Sequence, residues 1–367
     1  MSTLFSPLRL AGIELPNRIL VSPMCQHMAV DGCPTDWHLI HWGQMALSGA
    51  AMILTESTAV SADGRITPNC LGIYSDAAAE EIGRMAAICR RYAPVRFGLQ
   101  LSHAGRKGSN RPAHHGYAPA PVGANSWDLL APSAIPLSDT APAPREMGAL
   151  DMARIRDEFR AAALRARDVG LDVLEIHVAH GYLLHAFLSP LTNARNDGYG
   201  GSPAARMRYP LEVFAAVREA WPAERPLGVR ISATDWIEGG LVVEDQIAFV
   251  RALRQAGCDF CDVSSGGIAP QSRPPQVIES YQLPFAEEIR RATGIVTCAV
   301  GMIVHPRQAE AIVASGTADL VCLGRAMLDD PRWPWRAAET LGVKLRYPPP
   351  YARSHPAVWP GAALLRR

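Results

Sequence analysis

The stretch LDVLEIHVAHGYLLHAF, residues 171–187, carries two kinds of order in one line. Its first half, VLEIHVA (173–179), is a short, almost wholly apolar run, as expected of a strand covered on both faces. Before it lies DMARIRDEFRAAALRARDVG (151–170), whose apolar residues recur at helical spacing between an Asp cap and a closing Gly170. A helix that feeds a buried strand, followed at once by new helical spacing, is the repeating unit of an α/β fold. Where the strand runs out stand His177, His180 and Tyr182. Zinc ligation, packing and a clamp on a substrate oxygen are all open at this point.

Working outward, the same kind of apolar run recurs. RILVSPM (18–24), AMILTES (51–57) and FGLQLSH (97–103) come before it. LGVRISA (227–233), FCDVSS (260–265), VTCAVG (296–301) and LVCLGR (320–325) come after. Helical segments separate them, such as PRQAEAIVASG (306–316), with Pro306 at its start and Gly316 at its end. Eight alternations predict a closed (β/α)8 TIM barrel, with an open doubly wound sheet as the alternative. No GxGxxG follows the first strand, which weighs against a dinucleotide-binding sheet. RLAGIELPNRI (9–19) reads as a small hairpin capping the barrel bottom, and long loops follow the third and fourth strands. Residues 1–367 are expected to form a single domain, with a tail from about 341 that carries apolar residues suited to a subunit interface.

The bulk properties are those of an enzyme-sized globule: 367 residues, 48% hydrophobic, 19% charged and a formal net charge of +1. With Lys and Arg scattered, there is no electrostatic case for nucleic acid or an anionic membrane. No apolar run is long enough to span a bilayer. The opening MSTLFSPLRLAG does not read as a signal peptide, and several of the eight cysteines lie inside strand-like runs, so a cytoplasmic protein with reduced thiols is expected. CDFC (258–261) has redox spacing but lies on a strand, where packing is the simpler role.

In a barrel, the residues at the strand ends converge on one mouth. These are Ser22 to Cys25, Thr58 and Ala59, Gln100 and His103, the His177–His180–Tyr182 group, Arg230, Ser264 and Ser265, Gly301, and Gly324 with Arg325. The set is polar and lacks an Asp/Glu cluster suited to a hard cation. Gly301 and Gly324 beside Arg325, after the last two strands, stand where barrels commonly bind phosphate. Arg230 lies within a strand and needs a partner, for which Glu175 is a candidate.

The motifs SPMCQ, ESTAV, LQLSHAGRK, EIHVAHGYLLHAFLSPLTNARNDGYGGS, GVRIS and LGRAMLDDP resemble, in order, those of the Old Yellow Enzyme family of FMN-dependent ene-reductases. The likeness runs from about residue 4 to 340. Cys25 after SPM makes it most similar to the thermophilic-like branch that includes the xenobiotic reductases. The resemblance implies non-covalent FMN across the barrel mouth, with its phosphate at Gly301, Gly324 and Arg325. Its isoalloxazine would meet Ser22, Pro23, Met24, Cys25, Ala59, Gln100 and Arg230.

It further implies that His177 and His180 hold the oxygen of an α,β-unsaturated carbonyl. Three apart on a strand they would face opposite ways, so the chain must turn at about Ala179. Flavin N5 would deliver hydride to Cβ and Tyr182 would protonate Cα, with NADPH or NADH as reductant. Small activated alkenes would be the substrates. Relatives in this branch have Tyr where this chain has His27, whose charge would change near neutral pH at its reference pKa of about 6.5. They also form dimers in which a C-terminal Arg or Trp reaches the neighbouring site. Here Trp335, Arg336 and Trp359 are the candidates in a homodimer or dimer-based oligomer. Arg106 and Lys107 could meet the 2′-phosphate of NADPH. A zinc-dependent barrel hydrolase using the histidine pair and a non-catalytic flavin-binding protein remain the rival readings.

Overall fold

The computed structural model describes residues 2–364 except 113, 115, 117, 119 and 121–125. Eight parallel strands close into a barrel: β1 (Ile19–Val21), β2 (Met52–Ala59), β3 (Arg96–Ser102), β4 (Val173–Val178), β5 (Leu227–Ser232), β6 (Phe260–Ser264), β7 (Val296–Ala299) and β8 (Leu320–Leu323). Helices α1 (Asp36–Ala46), α2 (Asp76–Tyr92) and α3 (Ala149–Asp168) follow the first three strands. The short α4 (Leu183–Leu188) and the long α5 (Pro203–Ala220) follow β4. Then come α6 (Val243–Gln255), α7 (Leu283–Thr293), α8 (Pro306–Ala314), α9 (Arg325–Asp329) and α10 (Trp333–Thr340). This is the (β/α)8 barrel that the alternation predicts, and each strand lies within its sequence run to a residue or two at either end, except that β2 continues to Ala59.

Alternation along each strand sorts side chains into an outer set facing the helices and an inner set. The inner set is layered. At the bottom, Phe260, Met52, Val173 and Leu320 form an apolar plug. A Cβ on the neighbouring Gly228 would lie 2.4 Å from the Phe260 ring, so the strand carrying the small residue makes room for the large one. The predicted hairpin is present as Leu8–Leu10 paired antiparallel with Ile13–Leu15, and its buried Leu10 and Leu15 join the same cluster and seal the base.

One local expectation shifts, and one strand bulges. Helix α3 starts three residues early: its cap is Gly148, and Asp151 acts from the third helical position, accepting the Gly148 N–H at 2.9 Å and pairing with Arg145 at 2.7 Å. A carboxylate at the third helical position reaches back to the N–H of the cap residue, the second half of a capping box. In β2, the register with β3 jumps between Leu54 and Ser57, a bulge that turns Glu56 outward to lie 3.5 Å from the buried His38 of α1. His38 is therefore a core residue whose Nδ1 also accepts the Thr35 N–H at the start of α1.

Beyond the barrel, Trp335 stacks on Tyr347 with ring centroids 3.8 Å apart, and Arg332 caps both Trp335 and Tyr351 at 4.1 and 4.5 Å. Trp335 is thus committed to holding the tail down, and Arg336 pairs with Asp330. Trp359 remains 42% exposed, with Val358 and Leu364 beside it in sequence also exposed. Residues 365–367 of the tail lie outside the described residues.

Candidate active site

Strand β4 ends at Val178, and the chain then turns through His180 (φ 58°) and Gly181 (φ 77°). The turn needed to bring the two histidines together is therefore present, one residue later than expected. A left-handed histidine is uncommon and must be held by its surroundings. Two hydrogen bonds hold it: the His180 N–H donates to Ser232 Oγ at 3.0 Å, and the Lys107 ammonium, itself anchored on Gly267 O at 2.9 Å, donates to His180 O at 2.7 Å. Gly267 (φ 90°) packs so closely that its Cβ would lie 2.6 Å from His180 Cα, which only glycine permits.

The two rings meet edge to face, centroids 5.1 Å apart, with His177 Nε2 3.3 Å from His180 Nδ1. His177 Nδ1 accepts the Ala179 N–H at 3.1 Å, so in the neutral ring the proton sits on Nε2. Burial, with Arg230 as the next cause, holds both imidazoles well below their ordinary pKa. They are neutral donors and acceptors at pH 7. Tyr182, at the N-cap of α4, lies edge to face with His177 at 4.7 Å. His185, the next histidine along the chain, faces elsewhere: its Nε2 is 3.0 Å from Asp235 and its Nδ1 accepts the Gly181 N–H.

Beneath the histidines is a buried polar layer. Gln100 and Glu175 are register neighbours, as are His177, Arg230 and Asp262 in turn. Gln100 Nε2 donates to Glu175 Oε1 at 2.7 Å. The carboxylate paired with Arg230 is Asp262, 3.2 Å from Nε, and not Glu175 as the sequence suggested. Register explains this, since Arg230 and Asp262 lie side by side while Glu175 sits opposite Gly228. Burial and the Asp262 charge push the Glu175 carboxyl upward, so the layer resolves into one ion pair beside an acid favouring its protonated form.

Ser22 continues the barrel pairing through its N–H to Leu323 O, and carries Pro23, Met24 and Cys25 onto the mouth. Burial, then Cys70 and Glu56, raise the Cys25 thiol well above its usual range, so it is not a thiolate at neutral pH. Cys25 and Tyr182 pack on one cluster, Ile66, Cys70 and Ala104. His27 (φ 53°) borders it, with Nδ1 3.0 Å from Thr67 Oγ1 and 3.6 Å from Cys70 Sγ. Burial and His114 lower its pKa, so its charge changes below the neutral range that sequence suggested. Ala59 has both backbone groups occupied, by Leu71 O and the Ile73 N–H, which leaves its methyl group for contact.

At the far side, Gly301 (φ 104°) and Met302 (φ 52°) bend the chain after β7, and a Cβ at 301 would strike Gln282 Nε2 at 2.4 Å. Gly324 has room, its nearest neighbours being Met24 Sδ at 3.7 Å and Ser22 Cβ at 3.9 Å, and Arg325 beside it is exposed. Arg106 and Lys107 cannot serve a 2′-phosphate as the sequence suggested. Arg106 donates to the carbonyls of Ile135, Pro136 and Ile268, and Lys107 is buried on two carbonyls, which lowers it to about 8.

The mouth therefore offers, from one side to the other, the Arg230 guanidinium, the Gln100 amide, the Met24–Cys25 wall and a glycine-bent backbone beside the Arg325 cation. The Arg230 Nε faces Asp262 at 3.2 Å, a buried contact outside hydrogen-bond geometry, and the guanidinium cation it belongs to would complement an electron-rich ring atom. That donor set fits a flat heteroaromatic group with an anionic tail, as FMN has. Gln282 and Asp262 are the residues that sequence missed. Asp262 was readable from alternation with Phe260 and Ser264, whereas Gln282 lies just before α7 with no pattern to reveal it.

Comparison with known proteins identifies the family. Residues 3–343 match the model of the NADH:flavin oxidoreductase / NADH oxidase family. The chain is 42% identical over 354 residues to an NADPH dehydrogenase of Geobacillus thermodenitrificans (strain NG80-2), covering 96% of this chain and 98% of that protein. It is 40% identical over 356 residues to an NADPH dehydrogenase of Listeria innocua serovar 6a, covering 96% and 99%. Among solved structures it superposes on morphinone reductase with a TM-score of 0.78 at 27% identity, over 96% of this chain and 92% of that one.

Proposed function

Because this chain belongs to the NADH:flavin oxidoreductase / NADH oxidase family, the Old Yellow Enzyme group of FMN- and NAD(P)H-dependent oxidoreductases, we propose that it reduces the C=C bond of α,β-unsaturated carbonyl compounds. The observation that carries this reading is the pair of neutral ring nitrogens, His177 Nε2 and His180 Nδ1, 3.3 Å apart at the mouth of the barrel. Two donors at that spacing can converge on one carbonyl oxygen and stabilise the negative charge that grows there, as an oxyanion hole does. FMN, when bound, supplies hydride to Cβ. Arg230 would set its positive charge against the electron-rich edge of the ring system, and Gln100 anchors the layer through Glu175. Tyr182, beside His177, is the group placed to protonate Cα. The names of the relatives favour NADPH as reductant.

The test is an oxygen-free titration of purified protein followed by visible absorption, adding NADPH and then 2-cyclohexenone. The expected record is a yellow band that bleaches and then returns. A bleached band that stays bleached with every activated alkene tried would sink the ene-reductase assignment while leaving the flavin. A protein that remains colourless after FMN is added would remove the flavin reading as well.

His27 gives a second expectation. Thr67 Oγ1 engages its Nδ1, which leaves Nε2 for a ligand. A charge-assisted hydrogen bond is about twice as strong as a neutral one, so a carbonyl binds the protonated ring better. Because burial lowers the His27 pKa, the KM for an enone should fall several-fold as pH drops below the neutral range, and His27→Tyr should flatten that change. Identical KM profiles for the two proteins between pH 5 and 8 would refute it.

A single domain and a homodimer, with the exposed Trp359 end of the tail at the interface, complete the proposal, and the location is cytoplasmic. Among the described residues no helix is long and apolar enough to cross a membrane.

A further inference from the structure

We propose that Ser264 is a positioning residue that sets which ring nitrogen of His180 carries the proton, switching His180 from acceptor to donor when a carbonyl oxygen arrives. The inference rests on the carbonyl-binding reading above and names the device that makes the second histidine usable.

The argument is one of hydrogen-bond polarity. A row of side chains runs from β4 across β6 to the start of α7, and its two ends are fixed. At one end His177 Nδ1 accepts the Ala179 N–H, so His177 Nε2–H is a donor. At the other, Gln282 Nε2 donates to Val300 O at 3.0 Å, so its Oε1 faces the serines as an acceptor. Between them lie His180 and Ser264. His177 Nε2 is 3.3 Å from His180 Nδ1, His180 Nε2 is 2.7 Å from Ser264 Oγ, and Ser264 Oγ is 3.4 Å from Gln282 Oε1.

With no carbonyl present, every link must run one way. His177 Nε2–H donates to His180 Nδ1, His180 Nε2–H donates to Ser264 Oγ, and the Ser264 hydroxyl points at Gln282. His180 is then an acceptor on the side facing His177. Once a ligand oxygen takes the His177 proton as its own hydrogen bond, His180 Nδ1 can help only if it carries a proton. The neutral ring must exchange: it loses the proton on Nε2 to water and gains one on Nδ1 from water, with no net change in charge. Nε2 is then a buried lone pair that needs a donor, and Ser264 is 2.7 Å away.

A hydroxyl can reverse its role by rotating one O–H, which an amide or a carboxylate cannot do. What Ser264 gives up is its long 3.4 Å bond to Gln282, whose Oε1 keeps a shorter one from Ser265 Oγ at 2.6 Å. The reversal therefore strands no polar group. The backbone supports the same reading. His180 is pinned through its N–H and C=O by Ser232 and Lys107, which holds the imidazole between His177 and Ser264.

The test uses the oxidised holoenzyme labelled with 15N-histidine, in which long-range proton–nitrogen correlation spectra report the tautomer of each ring. His180 is assigned by difference with His180→Gln. The probe is cyclohexanone, which has the carbonyl but no alkene to reduce. The expected result is Nε2–H at His180 without the ketone and Nδ1–H with it. Ser264→Ala should weaken cyclohexanone binding and raise the KM for 2-cyclohexenone on the order of tenfold, the effect of one lost hydrogen bond. Flavin reduction by NADPH should change less than about twofold, within the scatter of a neutral substitution. Ser264→Thr, which keeps the hydroxyl, should restore both binding and tautomer change. A His180 tautomer that stays fixed while the His177 signals respond to cyclohexanone overturns the proposal, as does wild-type affinity in Ser264→Ala. Signals from both rings unmoved at saturating cyclohexanone would instead remove the carbonyl reading, and the proposal with it.

Discussion

Replacing Tyr182 with Phe is expected to slow oxidation of the reduced enzyme by 2-cyclohexenone on the order of 10²-fold or more, the usual contribution of a general acid. Its reduction by NADPH should be almost unchanged. The asymmetry follows from where the ring sits. Tyr182 packs on Ile66, Cys70 and Ala104 and edges onto His177, contacts that a phenyl ring keeps. Its backbone caps α4 whatever the side chain is. The substitution therefore removes one O–H and little else. Stopped-flow measurement of the two half-reactions separates the outcomes. An equal loss in both would mean that Tyr182 shapes the mouth and does not donate the proton.

Arg230→Met is expected to cost stability, not only activity. Arg230 is the counter-ion of Asp262, a carboxylate that is fully buried inside the barrel and whose oxygens have no hydrogen bond among the described residues. Removing one member of a buried pair leaves the other uncompensated, which typically costs about 3–5 kcal/mol. Protonation of Asp262 would blunt this, since burial already favours its neutral form. The urea midpoint at pH 7 should fall well below that of the parent. The double variant Arg230→Met, Asp262→Leu should recover much of the loss, because an apolar pair of similar volume leaves no stranded charge. A single variant within about 1 kcal/mol of the parent would show that the ion pair contributes little.

The barrel was legible because its strands are buried on both faces, so each appears as an uninterrupted apolar run, and eight such runs leave few other folds. The hairpin was legible for a different reason: RLAGIELP alternates around a tight turn. The histidine turn was legible in need but not in place. The two rings had to meet, yet only the structure shows that His180 itself takes the left-handed conformation, held by Ser232 on β5 and Lys107 beyond β3. Lys107 was misread for a related reason. A Lys in a Gly- and His-rich loop looks solvated in sequence, and nothing local reveals that two carbonyls, at 180 and 267, wait for it. The partner of Arg230 was misassigned because sequence gives strands but not their stagger. Which carboxylate is adjacent depends on register between strands, and register is set by the whole closed sheet.

The layered interior also governs how freely the sequence can vary at each level. Substitutions in the apolar plug around Phe260 act on folding alone, since nothing there faces the mouth. Substitutions at His177, His180 or Tyr182 act mainly on turnover, since packing around them is shared with glycines and loops. The ionic layer between serves both masters. Arg230 answers downward and sideways to Asp262 and upward to the mouth, so no exchange there can alter chemistry without also altering the fold. Plug and mouth can drift independently of each other, and the middle layer can change only when both permit it.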